Sequence, residues 1–171
     1  MKSLSTFITI FLIAITSNVY SQSEFSEDFI SIGVVVKDID QSLKFYTDVI
    51  GMTETGGFNV NSEMGKKTGL TNGLAFDVKV LKLIDSPNAT EWKLLSFKKE
   101  ATHPDQNYIQ DDTGMQYITI FVNDLQPFVE RLEKHNIKLL GETPTPLGDG
   151  RHFILVQDPD EVFIELIGPM K

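Results

Sequence analysis

Apolar residues recur along this chain with two different periods, and the switches between them mark its elements. Residues 31–36, Ser-Ile-Gly-Val-Val-Val, form a β-branched run closed by Lys37-Asp38, which predicts a strand. From Ile39 the period changes: Ile39, Leu43, Tyr46 and Ile50 fall on one helical face, with Phe45 beside them. Asp38 or Asp40 supplies a side-chain cap for that helix, and Gly51 is a natural stop. A second strand is expected near Met52–Val60, then a Gly-rich loop over Asn61–Gly73 with one helical turn at Glu63–Thr68. Leu74–Ile84 and Glu91–Phe97 read as strands joined by the turn Asp85-Ser86-Pro87-Asn88. The order is β-α-β-β-β.

The same order then returns. Tyr117-Ile-Thr-Ile-Phe-Val122 is a strand, and Asn123-Asp124 stands where Lys37-Asp38 stood. Leu125, Val129, Leu132 and Ile137 mark a helix, with Pro127 in its first turn, where a missing N–H costs little. Later strands are expected at Lys138–Glu142, His152–Gln157 and Val162–Ile167, the last two flanking the turn Asp158-Pro-Asp-Glu161. The offset from Ser31 to Tyr117 equals that from Asp38 to Asp124, so a whole supersecondary unit is repeated. The expected organisation is a first module over 30–99, a polar linker over 100–114 that takes in His103, and a second module over 115–169.

The first 29 residues follow neither period. Lys2 precedes an apolar run from Phe7 to Ile15, then a polar stretch in which Val19 and Ser21 sit at −3 and −1 of a cut before Gln22. That is the pattern of a secretory signal peptide over 1–21, followed by a short N-terminal linker over 22–29. The apolar run is half of the about 20 residues a membrane-spanning helix needs. The expectation is an exported chain, periplasmic or secreted, with no membrane span in its mature part. Without Lys2 the mature chain has 14 basic against 24 acidic residues, a net charge of −10 that repels phosphate backbones, and no nucleic-acid partner is expected. There is no cysteine, so disulfides, thiolate metal sites and a cysteine nucleophile are excluded. No dinucleotide or phosphate-binding glycine loop and no Gly-x-Ser-x-Gly nucleophile elbow occur.

Two separated stretches carry a resemblance. Ser31-Ile-Gly-Val-Val-Val-Lys-Asp-Ile-Asp-Gln-Ser-Leu-Lys-Phe-Tyr-Thr-Asp-Val-Ile-Gly51 and Gln157-Asp-Pro-Asp-Glu-Val-Phe-Ile-Glu-Leu-Ile-Gly168 resemble the opening and closing motifs of the vicinal-oxygen-chelate superfamily, the glyoxalase/bleomycin-resistance/dioxygenase group. The resemblance covers nearly all of 30–168. It implies an α+β fold of two βαβββ modules whose sheets form one curved, open barrel around a cavity. It implies no single activity, because the fold hosts several.

The family's metal ligands are a His opening the first strand of each module and a Glu, or another ligand, on the last strand of each. Carried over residue by residue, these positions hold Ser31, Lys93, Tyr117 and Glu165. Three of the four have departed. A serine hydroxyl is a weak neutral ligand, a tyrosine phenol must first lose a proton with a pKa near 10, and a lysine ammonium repels a cation. No cofactor is expected and a divalent metal is disfavoured; Glu91, two residues before Lys93 on the same strand face, is the residue that could alter that count.

Strand alternation places Ser31, Gly33, Val35, Lys93, Leu95, Phe97, Tyr117, Thr119, Phe121, Phe163, Glu165 and Ile167 toward the cavity. It places Ile32, Val34, Val36, Ile118, Ile120, Val122, Ile164 and Leu166 toward the helices. The candidate ligand-binding residues are therefore Ser31, Lys93, Tyr117, Thr119, Phe121, Phe163 and Glu165, with His152 at the expected pocket mouth. Lys93 and Glu165 are expected to pair within about 4 Å as the charged centre and as the candidate catalytic groups. Trp92 reads as packing. Three functions stay open: a metal-free module that binds a small molecule, an enzyme of this superfamily with Glu165 as base or with a metal on other ligands, and an interaction domain with a filled barrel. The sequence leaves monomer, homodimer and swapped dimer equally open.

Overall fold

The structure, a computed structural model, describes residues 24–99, 102 and 104–171. The candidate signal peptide and His103 lie outside the described residues.

Each half builds the predicted unit. The first module runs β1 (Ser31–Val35), α1 (Ile39–Lys44), β2 (Thr53–Val60), α2 (Ser62–Thr68), β3 (Phe76–Lys82) and β4 (Glu91–Phe97). The second runs β5 (Tyr117–Phe121), α3 (Gln126–Lys134), β6 (Thr145–Pro146), β7 (Arg151–Gln157) and β8 (Phe163–Pro169). The strands form two four-stranded sheets, ordered β1-β4-β3-β2 and β5-β8-β7-β6. In each, the first strand pairs parallel with the last, and the other pairs are antiparallel.

Asp38 is the cap of α1: its carboxylate accepts the backbone N–H groups of Asp40 and Gln41, each at 3.0 Å. Beyond Lys44 the helix widens to π geometry over Phe45–Ile50. It ends at Gly51, whose φ of +88° lets its N–H turn back to the Tyr46 carbonyl. That widening packs Phe45, Tyr46, Val49 and Ile50 into the interior together.

The main core is one continuous body. It holds the apolar faces of α1 and α3 and the helix-facing residues of both sheets. All eight residues assigned to that face from alternation belong to it or pack against it. Arg131 on α3 locks the two helices together, donating from Nε to the Val49 carbonyl at 2.7 Å and stacking over Phe128. Each sheet thus turns one face to the shared helices and leaves its other face open. On the first sheet that open face carries a small second cluster of Phe76, Val78 and Val80.

The two motifs at the ends of the repeat touch each other. Buried Tyr46 donates its hydroxyl to Asp158 Oδ2 at 2.7 Å, while Asp158 Oδ1 accepts the N–H groups of Asp160 and Val162. Asp160 accepts from the Lys37 N–H and from the Ser42 hydroxyl, both at 2.8 Å. The turn between β7 and β8 therefore clasps the start of the first helix. Gly168 is required by packing, since a Cβ there would meet the Val122 carbonyl at 2.4 Å.

One expected strand is absent. Residues 138–142 make a bond from the Leu140 N–H to the Leu155 carbonyl, but Gly141 turns away at φ +63°, and regular pairing starts only at Thr145.

Candidate functional site

On the open face of the first sheet, the register sets Ser31 beside Glu91 and Gly33 beside Lys93. The Ser31 hydroxyl donates to Glu91 Oε2 at 2.8 Å, and Lys93 Nζ stands 3.1 Å from the same oxygen. The Ser31 hydroxyl and then Lys93 hold the Glu91 carboxyl below its ordinary range. Lys93 also lies over the Phe58 ring at 5.9 Å. Beside them is a shallow cavity of about 530 Å³. Its other cation, Lys82, is turned onto the Ser86 and Pro87 carbonyls of the β3–β4 turn.

The same sheet positions in the second module hold different chemistry. Tyr117 lies beside Phe163 and Thr119 beside Glu165, so Glu165 is the register equivalent of Lys93. The Thr119 hydroxyl donates to Glu165 Oε2 at 2.5 Å. Among the described residues Glu165 has no ion-pair partner. Its face of the sheet, with Phe153, Leu155, Gln157 and Phe163, is the floor of a cavity of about 890 Å³. One wall is the linker over 107–110, the other the irregular segment over 136–143.

The linker is held down by the turn that follows β7. The Gln106 N–H donates to Glu161 Oε2 at 2.9 Å, and the Gln157 side-chain amide donates to the carbonyls of Gln106 and Glu161. Glu161 has φ +66°, a left-handed conformation that costs a residue with a Cβ about 1 kcal/mol. Its carboxylate is what a glycine there could not supply.

Three sequence expectations are corrected. First, Lys93 and Glu165 do not pair: they lie on separate sheets, in cavities each lined by one module, and Lys93 pairs with Glu91. Second, His152 is not at the pocket mouth. It shares the helix-facing parity of Ile154 and Val156, and its Nδ1 is buried without a partner among the described residues. Third, the candidate residues divide: Ser31 and Lys93 gather around Glu91, while Thr119, Phe163 and Glu165 gather in the second module. Tyr117 and Phe121 share the face of Thr119 but stand exposed beyond the cavity lining. Sequence reasoning missed Asn107, Tyr108, Leu140, Leu155 and Gln157. Alternation along β7 could have found Leu155 and Gln157; nothing local marks the linker as a wall.

Neither cluster, taken within one chain, presents a set of divalent-metal ligands. At the first-module position an ammonium already occupies the carboxylate, and at the second the neighbours of Glu165 are a threonine hydroxyl and aromatic rings. Among the described residues no three His, Asp or Glu side chains converge as ligands.

Residues 29–166 match the model of the Glyoxalase/Bleomycin resistance protein/Dioxygenase superfamily. With the paired modules and their register, this shows that the chain belongs to that superfamily. It is 26% identical over 136 residues to the uncharacterized protein YwbC of Bacillus subtilis (strain 168), covering 78% of this chain and 90% of that one. In fold it is similar to a glyoxalase family protein from Bacillus cereus, with a TM-score of 0.71, 20% identity, and 88% and 99% of the two chains covered. It is also similar to the trypanothione-dependent glyoxalase I of Leishmania major, with a TM-score of 0.56, 23% identity, and 84% and 87% covered. At these identities the solved structures speak for the fold alone.

Proposed function

We propose that this domain binds a small molecule, without a metal, in the cavity of its second module. The observation that carries this reading is the asymmetry between equivalent sheet positions. Lys93 is satisfied by Glu91 beside a shallow cavity, whereas Glu165 lies on the floor of a larger, half-enclosed one lined by apolar, aromatic and amide side chains, with a single hydroxyl donor beside it. A concave site that combines apolar and aromatic surface with placed polar groups is the usual form of a small-ligand site. The open volume weighs against a filled barrel. Titration of a fragment library followed by amide NMR should move the signals of Phe153, Leu155 and Gln157, and Leu155→Trp should abolish the response by filling the space. Responses confined to the first-module face would refute it.

The reading extends to where the protein works and with what. The pattern over 1–21 supports export, and no helix among the described residues is long and apolar enough to cross a membrane. N-terminal sequencing of the secreted protein should start at Gln22; intact Met1 would refute this. Val35, Phe58, Tyr117 and Phe121 are exposed on the open sheet faces, which supports a homodimer that covers them. Sedimentation equilibrium should give twice the chain mass, and Phe121→Glu should halve it.

A further inference from the structure

We infer that the ligand of the second-module cavity is an organic cation, a protonated amine on an aromatic or similarly flat apolar body. This rests on the cavity assignment above and names the chemistry it selects. Glu165 sits on the cavity floor with its Oε2 bonded to Thr119 and no cation beside it. Glu165 is half-buried on the floor of that cavity, where a positive group beside it is attracted more strongly than in open water. The chain supplies none: Lys138, the cation in the lining, is exposed at the rim and makes no ion pair with Glu165 among the described residues. Phe153 and Tyr108 offer aromatic surface to the same space, which favours a cation over a neutral donor. The net charge of −9 adds a field that concentrates cations at the surface and repels carboxylate ligands.

The equivalent position in the first module shows the alternative. There the sheet carries Lys93, and Glu91 neutralises it from two residues away at 3.1 Å. In the second module the residue at the place of Glu91 is Phe163, which cannot neutralise anything. The repeat has thus kept a charge in both sheets but left its counter-ion to be supplied from outside in one of them.

The test compares three probes of one shape: 2-phenylethylamine, 2-phenylethanol and 3-phenylpropionate, titrated into the full mature chain at low salt and followed by amide NMR. The amine should bind at least ten-fold tighter than the alcohol, with shifts at Phe153, Leu155 and Gln157. Glu165→Gln keeps the acceptor for Thr119 and should erase that preference, while leaving the melting temperature close to the parent's. If the alcohol or the propionate binds as tightly as the amine, or the preference survives Glu165→Gln, the cation inference falls and the cavity assignment stands. If no probe moves the cavity signals, both fall. Displacement of the amine by micromolar zinc would also overturn it, by showing that the carboxylate serves a metal.

Discussion

Asp158 is buried and holds together the clasp between the modules, so its replacement by asparagine isolates the electrostatic part of that contact. Burial pushes its carboxyl up to about 6 from the ordinary 3.8, against the lowering effect of the bonds it accepts from Tyr46 and the backbone. A raised folded-state value means that the native chain holds its proton more tightly than the unfolded chain. Between about pH 4 and pH 6 the native state therefore binds more protons, and stability from this group falls as pH rises. At about 1.4 kcal/mol per unit, a shift of about two units costs about 3 kcal/mol once the group is ionised in both states. Asparagine is nearly isosteric. Its Oδ1 can accept the N–H groups of Asp160 and Val162, and its Nδ2 can donate to the Tyr46 hydroxyl, which reverses its role. The expected outcome is a difference in unfolding free energy, Asp158→Asn minus parent, that grows by about 3 kcal/mol in favour of the variant from pH 4 to pH 7.5. Urea unfolding at a series of pH values measures it, and other carboxylates cancel in the difference. A difference that stays flat with pH would show that Asp158 ionises in the folded chain as freely as in the unfolded one.

Glu161→Gly should relieve about 1 kcal/mol of left-handed strain but lose a charge-assisted bond of similar or larger size, so the melting temperature should change little. Amide exchange at Gln106 should nevertheless accelerate, and unchanged exchange would mean that the Glu161 carboxylate does not anchor the linker. Arg131→Ala should cost about 2 kcal/mol, read by urea unfolding, because the last carbonyls of the first helix lose their donor; a loss below about 0.5 kcal/mol would reduce Arg131 to a surface charge. The purified mature protein should retain no stoichiometric zinc, nickel, iron or manganese through dialysis, as elemental analysis would show. The triple variant Ser31→His, Lys93→Glu, Tyr117→His divides its new ligands between two separate sheets. Any metal affinity it gains should therefore appear only in an associated form and weaken on dilution; tight binding by a monomer would contradict the separation of the sheets.

The legible part of this fold was the part written in periodicity. Alternation separated the helix-facing from the open residues of β1, β5 and β8, because a sheet with one apolar face must write that face every second residue. Asp38, Gly51 and Pro127 announced the helix ends by their own chemistry. What stayed hidden depended on how the modules dock. Alternation says that Lys93 and Glu165 occupy the open faces of their sheets, but not that each lines a different cavity. His152 was misplaced because strand parity was not applied along β7, where it shares the face of Ile154 and Val156. The π widening over Phe45–Ile50 leaves no mark in a helical pattern. The irregular path at 138–142 follows from Gly141, which ends an otherwise strand-like run. The linker reads as solvated from its polarity, yet Asn107 and Tyr108 close one side of the cavity, tied down through their neighbour Gln106, which bonds to Gln157 and Glu161 some fifty positions away.

The clasp has a bearing on the order of events in a growing chain. Tyr46 meets Asp158 across 112 residues, and Lys37 and Ser42 meet Asp160 across 123 and 118. Both acidic partners belong to the turn between β7 and β8. While the chain is still being made, the buried phenol of the first module has no acceptor, and the helix that carries it has only half of its cover. Contacts of such separation form late and favour slow assembly. A chain that stops short of Asp158 leaves the Tyr46 hydroxyl without its acceptor and the first helix without its clasp.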